Sequence, residues 1–261
     1  VGPLEAFHSF ATLAFVAGSA VVSARLLWLA ARERDLPALL LGGAIGCTAV
    51  LGYGVLIGAL IVRGGMEMRP DAPALAVWLT GFGRVIHAFG VSLHLIFVLR
   101  VFRSGVGWAR TLAAFGICLI WVGVVAGGLR GAFREDQHGT WPWICEYAVI
   151  WTYMLWSLVE SFSYAAKLRR RLALGLGSAI VANRFWLWGT GSLCGVMATW
   201  IASVPYLYVA DPDALAAVTP AVRVATALTG LASVSCSLFA FLPPRWYRRW
   251  IASRAPAPVT A

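Results

Sequence analysis

Charge is scarce in this chain. Of its 261 residues, 12% are Asp, Glu, Lys or Arg and 60% are hydrophobic. A soluble domain runs near 25% charged and about 45–50% apolar. The shortfall excludes a soluble globular enzyme, and with it a disordered chain, a collagen and a disulfide scaffold. Lysine is almost missing: Lys167 is the only one, and it closes an apolar run. A retinal Schiff base, which needs a lysine in mid-membrane, therefore has no support. The cysteines Cys47, Cys118, Cys145, Cys194 and Cys236 are spread over five apolar runs with no CxxC spacing. Buried free thiols are expected, and neither a zinc site nor a disulfide framework. There is no HExxH, GxSxG, P-loop or CxxCH. No enzyme is expected, and no covalently attached haem.

What the chain has is apolar length. Seven runs approach or exceed the ~20 residues that a bilayer span needs, at 7–31, 38–62, 73–100, 108–129, 142–166, 181–209 and 215–242. The expected fold is all-α, a polytopic bundle of seven transmembrane helices over 1–242. A cytoplasmic interfacial segment and flexible tail follow over 243–261. The opening VGPLEAFHSF has no basic region, so the first run does not read as a cleavable signal peptide.

The net charge of +10 is distributed by side. If the runs alternate across a membrane, 15 basic residues fall on one face and 5 on the other, with Arg84 inside a run. Seven acids, including Glu67, Asp71, Glu135 and Asp136, fall on the face poor in arginine. Cytoplasmic loops carry the Lys/Arg excess. The N-terminus is thus expected outside and the C-terminus in the cytoplasm. The excess charge serves topology on this reading, and no nucleic-acid partner is expected.

Glycines recur at four-residue spacing: Gly42 and Gly46, Gly54 and Gly58, Gly123 and Gly127, Gly191 and Gly195. In lipid that spacing lets helix backbones approach closely. Trp28, Trp108, Trp141 and Trp143 are expected in aromatic belts at the headgroups. Pro205, late in the sixth run, either kinks that helix or ends it. Gly175-Leu176-Gly177-Ser178 reads as a glycine turn followed by a helix cap. After Pro243-Pro244, the segment RWYRRWI sets Arg245, Arg248 and Arg249 against Trp246 and Trp250. That pattern suits a short helix lying in the interface beside anionic lipid.

An ionisable residue inside a span costs about 2.5–3.5 kcal/mol near a helix centre on insertion scales. The third run holds Arg84, His87 and His94, which share one helix face with Val91, and the fifth holds Glu146 and Glu160. Equal depths suggest that Arg84 pairs with Glu146 and His94 with Glu160. Three uses stay open for these groups: holding the bundle together, binding a ligand or ion, or holding a haem or quinone at His87 or His94. No metal set is expected, because His87 lacks partners and bis-His haem takes its ligands from facing helices.

The stretch RRRLALGLGSAIVANRFWLWG from Arg169 to Gly189, the ending FLPPRWYRRW from Phe241 to Trp250, and VLRVFR from Val98 to Arg103 resemble a loosely defined family of bacterial seven-helix membrane modules. Some members stand alone, and others precede cytoplasmic signalling domains such as histidine kinases. The resemblance implies a receptor-like or scaffold module in signal transduction, sensing a small ligand and coupling to a protein partner in the membrane or cytoplasm. No output domain follows Pro244 here, so output is expected through a separate partner or a domain outside this chain. Two other readings remain: a membrane subunit binding haem, quinone or pigment, and a transporter.

Overall fold

In a computed structural model, residues 2–64, 72–131, 133, 138–209 and 211–253 are described. The loop residues Glu67, Arg69, Asp71, Arg134, Glu135 and Asp136, and the tail from Arg254, lie outside them. The described secondary structure is all helical: α1 (Pro3–Glu33), α2 (Leu36–Ile45), a π-helical segment (Gly46–Gly52), α3 (Tyr53–Arg63), α4 (Ala74–Phe102), α5 (Gly107–Leu129), α6 (Trp141–Ala173), α7 (Ala179–Ser203), α8 (Pro205–Tyr208), α9 (Pro212–Phe241) and α10 (Arg245–Ser253).

Six helices are long and apolar enough to cross a membrane: Pro3–Glu33, Leu36–Arg63, Ala74–Phe102, Gly107–Leu129, Ala179–Tyr208 and Asp213–Phe241. They make this a multi-pass integral membrane protein. The sequence expects seven comparable spans, and α6 is the exception. It is 33 residues long, but it carries Glu146, the buried Glu160 and a basic last turn. Its Trp, Tyr and Ser residues lower its hydropathy further.

The rods form a closed ring. α1 packs on α2, the α2–α3 rod on α4, α4 on α5, α5 on α6, α6 on α7, α7 on α9, and α9 returns to α1. α4 also reaches α6 across the ring. The outer surface is apolar, with Leu13, Ile61, Trp78 and Leu129 each more than two-thirds exposed. A contiguous surface of that kind needs an apolar solvent.

Close approach at the seams is set by glycine. A Cβ at Gly123 would stand 2.9 Å from the Pro142 carbonyl oxygen, where α5 meets α6. At Gly191 it would meet Ser233 and Cys236 of α9 at 3.3 Å, and at Gly42 it would meet Leu26 of α1 at 2.9 Å. Gly54 and Gly58 do not follow this pattern, since a Cβ at either meets nothing within 4 Å. Four-residue spacing identifies a smooth stripe but does not say whether the stripe faces a helix or lipid.

The helix ends follow local chemistry. Gly175 takes φ +74° after α6. Leu176 N–H donates to Arg171 O at 2.9 Å and Gly175 N–H to Leu172 O at 3.0 Å, a Schellman closure. Ser178 then stands at the N-cap of α7. Pro205 does not end its rod: Val204 keeps helical angles and donates to Trp200 O, and α8 continues beyond it. Trp28, Trp108 and Trp141 are exposed, whereas Trp143 is 3% exposed and packs inward on Tyr147, away from any headgroup belt. All five cysteines are free, but none is fully buried: Cys118 is exposed and the other four are partly exposed.

Candidate functional site

The polar groups of the ring gather where α4 faces α6. One turn-spaced face of α6 carries Glu146, Ile150, Tyr153, Ser157 and Glu160, with Ser161 beside them. From α4, Arg84, His94 and the cap residue Arg103 reach this face at three levels. The helices therefore run parallel, with their N-terminal ends at one end of the ring.

At the first level, Arg84 Nη1 lies 3.5 Å from Glu146 Oε1. The expected pair is thus brought together. Its geometry is loose, because Glu146 Oε1 is buried and makes no hydrogen bond. Tyr147 lies within electrostatic reach of both charges and of Tyr53 and Tyr206. The Tyr53 ring meets Phe15 edge-on at 6.1 Å, which ties this level to α1. An aromatic ladder leads away from the pair. Tyr206 stacks on His138 at 4.0 Å, His138 meets Trp143 at 5.6 Å, and Trp143 meets Tyr147 at 4.3 Å.

His87, three residues on, turns toward the π-helical segment. A Cβ at Gly52 of that segment would stand 3.1 Å from the His87 Cβ, and the His87 Nε2 is buried without a partner. The π-segment frees backbone groups that an α-helix would use internally. Close approach here requires Gly90, whose Cβ would sit 2.8 Å from Thr48 N.

At the middle level, His94 does not meet Glu160, and the expected pair is not formed. The His94 ring lies 4.7 Å from Tyr153 and 6.0 Å from Phe97, and its Nε2 has no hydrogen-bond partner. Glu160 is taken by Arg103, whose Nε donates to Glu160 Oε1 at 2.6 Å. Trp156 Nε1 donates to the same oxygen at 3.2 Å. The Arg103 guanidinium also stands 5.8 Å from the Trp108 ring. Equal depth along two helices is necessary for contact but not sufficient. The arginine that closes α4 is long enough to fold back, and a permanent cation outcompetes an imidazole for a buried carboxylate.

Sequence reasoning thus missed Arg103, which it assigned to a loop, along with Tyr147, Tyr153, Ser157 and Ser161. Ser157 and Ser161 are fully buried and their hydroxyls lack partners. The four-residue step from Tyr153 to Ser157 to Ser161 was the available signal. Polar residues on one stripe of a helix between apolar neighbours mark a shared face.

The five C-terminal candidates lie on α10. Arg245, Trp246, Arg248, Arg249 and Trp250 are all exposed, while Ile251 is buried. Tyr247 anchors the helix to α7, its hydroxyl accepting from Asn183 Nδ2 at 3.0 Å, and it packs on Phe239 at 5.0 Å. Among the described residues, no group of three His, Cys, Asp or Glu could hold a metal ion. His87 and His94 stand on one helix, about 10 Å apart in rise, so they cannot both ligate one iron. No protein-family model, curated protein or solved structure matches this chain.

Proposed function

We propose that the chain is a seven-span receptor-like module of a bacterial inner membrane, akin to the seven-helix modules it resembles. Its N-terminus lies outside, its C-terminus in the cytoplasm, and α10 in the inner interface. The asymmetry of arginine between alternate loops supports this orientation. α6 is the seventh span: it is 33 residues long and packs between α5 and α7. Its two inward acids are each paired, which offsets their cost in lipid. Trp246 and Trp250 enter the acyl boundary and the arginines of α10 meet anionic headgroups. A protein partner reads the cytoplasmic face.

The ligand is a small anion, and the observation that carries this reading is the loose Arg84–Glu146 pair. Arg84 is a fixed cation in the outer half, and its carboxylate partner is held without hydrogen-bond geometry. A ligand carboxylate can take Glu146's place on the guanidinium in a bidentate fork. The ring of Tyr147 offers it a flat apolar wall. Such a ligand shifts the module only by preferring the state in which Glu146 has swung away.

Thermal unfolding in detergent tests the reading. Benzoate or succinate should raise Tm in the wild type and not in Arg84→Gln. Equal shifts in both would remove Arg84 from the site. A visible absorption band lost in His87→Ala or His94→Ala would replace the receptor reading with that of a haem-binding or pigment-binding subunit.

A further inference from the structure

We propose that the α4–α6 seam encloses a central compartment for a small uncharged solute, opened alternately at its two ends by the Arg84–Glu146 and Arg103–Glu160 pairs. The module on this reading passes a solute across the membrane. The inference does not require that Arg84 bind a ligand, so it stands or falls separately from the receptor reading.

The placement of the charges is the first ground. The same two helices are bridged twice, by one ion pair at each end of their shared face. From Glu146 to Glu160, α6 rises about 21 Å, which lies within a ~30 Å hydrocarbon core. Two pairs at opposite ends make two closures.

The second ground is what lies between them. On α4, His94 is about 15 Å in rise below Arg84 and about 13 Å above Arg103. It stands opposite Tyr153. One turn further on the same face of α6 comes Ser157, before the level of Glu160. The imidazole Nε2 and the Ser157 hydroxyl are buried and make no hydrogen bond. A buried serine hydroxyl normally bonds to the carbonyl four residues back, as Ser92 does to Ala88 in α4 and Ser203 to Thr199 in α7. Leaving both groups unmade costs stability at each one. The pattern fits groups kept for a guest.

Chemistry then sets the class of guest. Neither cation reaches this level, since each is held by its own carboxylate. The offered groups are one imidazole nitrogen and the Ser157 hydroxyl beside the rings of Tyr153 and Phe97. They suit a flat or compact molecule bearing amide or hydroxyl groups and no net charge.

Sided labelling tests the compartment without knowing the solute. The full chain, with its five cysteines replaced, carries Ser157→Cys and is reconstituted in liposomes. A membrane-impermeant thiosulfonate probes the introduced thiol from either side. With both pairs intact, labelling should be slow from both. Glu146→Ala should speed it about tenfold from the N-terminal side alone, as expected for a shifted open population. Glu160→Ala should do so from the opposite side alone. Glu146→Gln and Glu160→Gln replace the alanine variants if those do not fold. Ser203→Cys, as deeply buried in α7, is the control. Rates unchanged by either variant, raised equally from both sides, or raised in the Ser203→Cys control as well would overturn the proposal. Millimolar nicotinamide, but not acetate, should slow labelling of the Ser157→Cys chain. Protection by acetate alone, or by neither, would overturn the assigned class of solute.

Discussion

The two ion pairs across α4 and α6 use the same chemistry and are built differently. Arg84 and Glu146 face each other from helix interiors at 3.5 Å, and their side chains are 18% and 12% exposed. Arg103 reaches Glu160 from the end of α4 at 2.6 Å, with Arg103 39% and Glu160 8% exposed. Glu160 also has the Trp156 indole on the same oxygen, whereas Glu146 Oε1 has no hydrogen bond at all. A carboxylate tied by an arginine and an indole makes the firmer of the two closures. One tied by charge alone can be exchanged at lower cost. Position within the helix accounts for the difference. An arginine at a helix end has freedom to orient its fork, while one inside a packed seam takes the geometry that the backbones allow.

The largest effect should come from breaking the tight pair. Arg103→Gln leaves Glu160 buried without its cation, which costs about 3–5 kcal/mol by the usual penalty for an orphaned buried charge. Arg84→Gln should cost less, because little alignment is lost. Thermal unfolding of both variants in one detergent checks the order. Equal losses would mean that the hydrogen-bond geometry at Glu160 adds nothing.

Packing gives the next test, again by contrast. Gly123→Leu drives a side chain into the Pro142 carbonyl and the Glu146 side chain, and should cost roughly 1–3 kcal/mol. Gly54→Leu points into open space and should leave the Tm near that of the wild type. A large loss at Gly54 would show that this face is covered, for instance by a second copy of the chain. At the other end of the molecule, Gln at Arg245, Arg248 and Arg249 should weaken docking on anionic vesicles by about 1 kcal/mol per charge. The fluorescence depth of Trp246 and Trp250 reports it, and no change would place α10 away from the interface.

The all-helical architecture and six of its long apolar helices were legible from apolar run lengths alone. Bilayer dimensions leave little choice once a run passes ~20 residues. The break of the second rod into a π-segment at Gly46–Gly52 was not legible, because it answers to the close approach of Gly90 on another helix. Periodicity put Arg84, His87 and His94 on one face, yet their partners diverged. Arg84 meets α6, His87 meets the π-segment, and His94 meets aromatic rings. A face of α4 wide enough to touch two neighbours cannot be resolved from one helix's spacing. Arg103 was hidden for a different reason. Its position after the last apolar residue reads as solvent, and only the fold shows that the helix ends beside a buried acid.

The smallest expected effect sharpens the comparison most. Equal depth suggests that His94 and Glu160 are partners, and partners leave a signature: removing one costs more than removing both. In the structure they belong to separate contact sets, His94 with Tyr153 and Phe97, Glu160 with Arg103 and Trp156. Each loss should then be independent. His94→Phe exchanges an imidazole whose Nε2 makes no hydrogen bond for a ring that can still pack on Tyr153, so on its own it should be mild. Glu160→Gln strands Arg103, though the exposed part of that side chain can still reach water. In a double-mutant cycle, the two losses should add within about 0.3–0.5 kcal/mol, as for groups that share no partner. A coupling of about 1 kcal/mol or more would mean that the imidazole and the carboxylate meet in some populated state. Arg103 would then have to release Glu160 there, and the tight pair would be the one that moves.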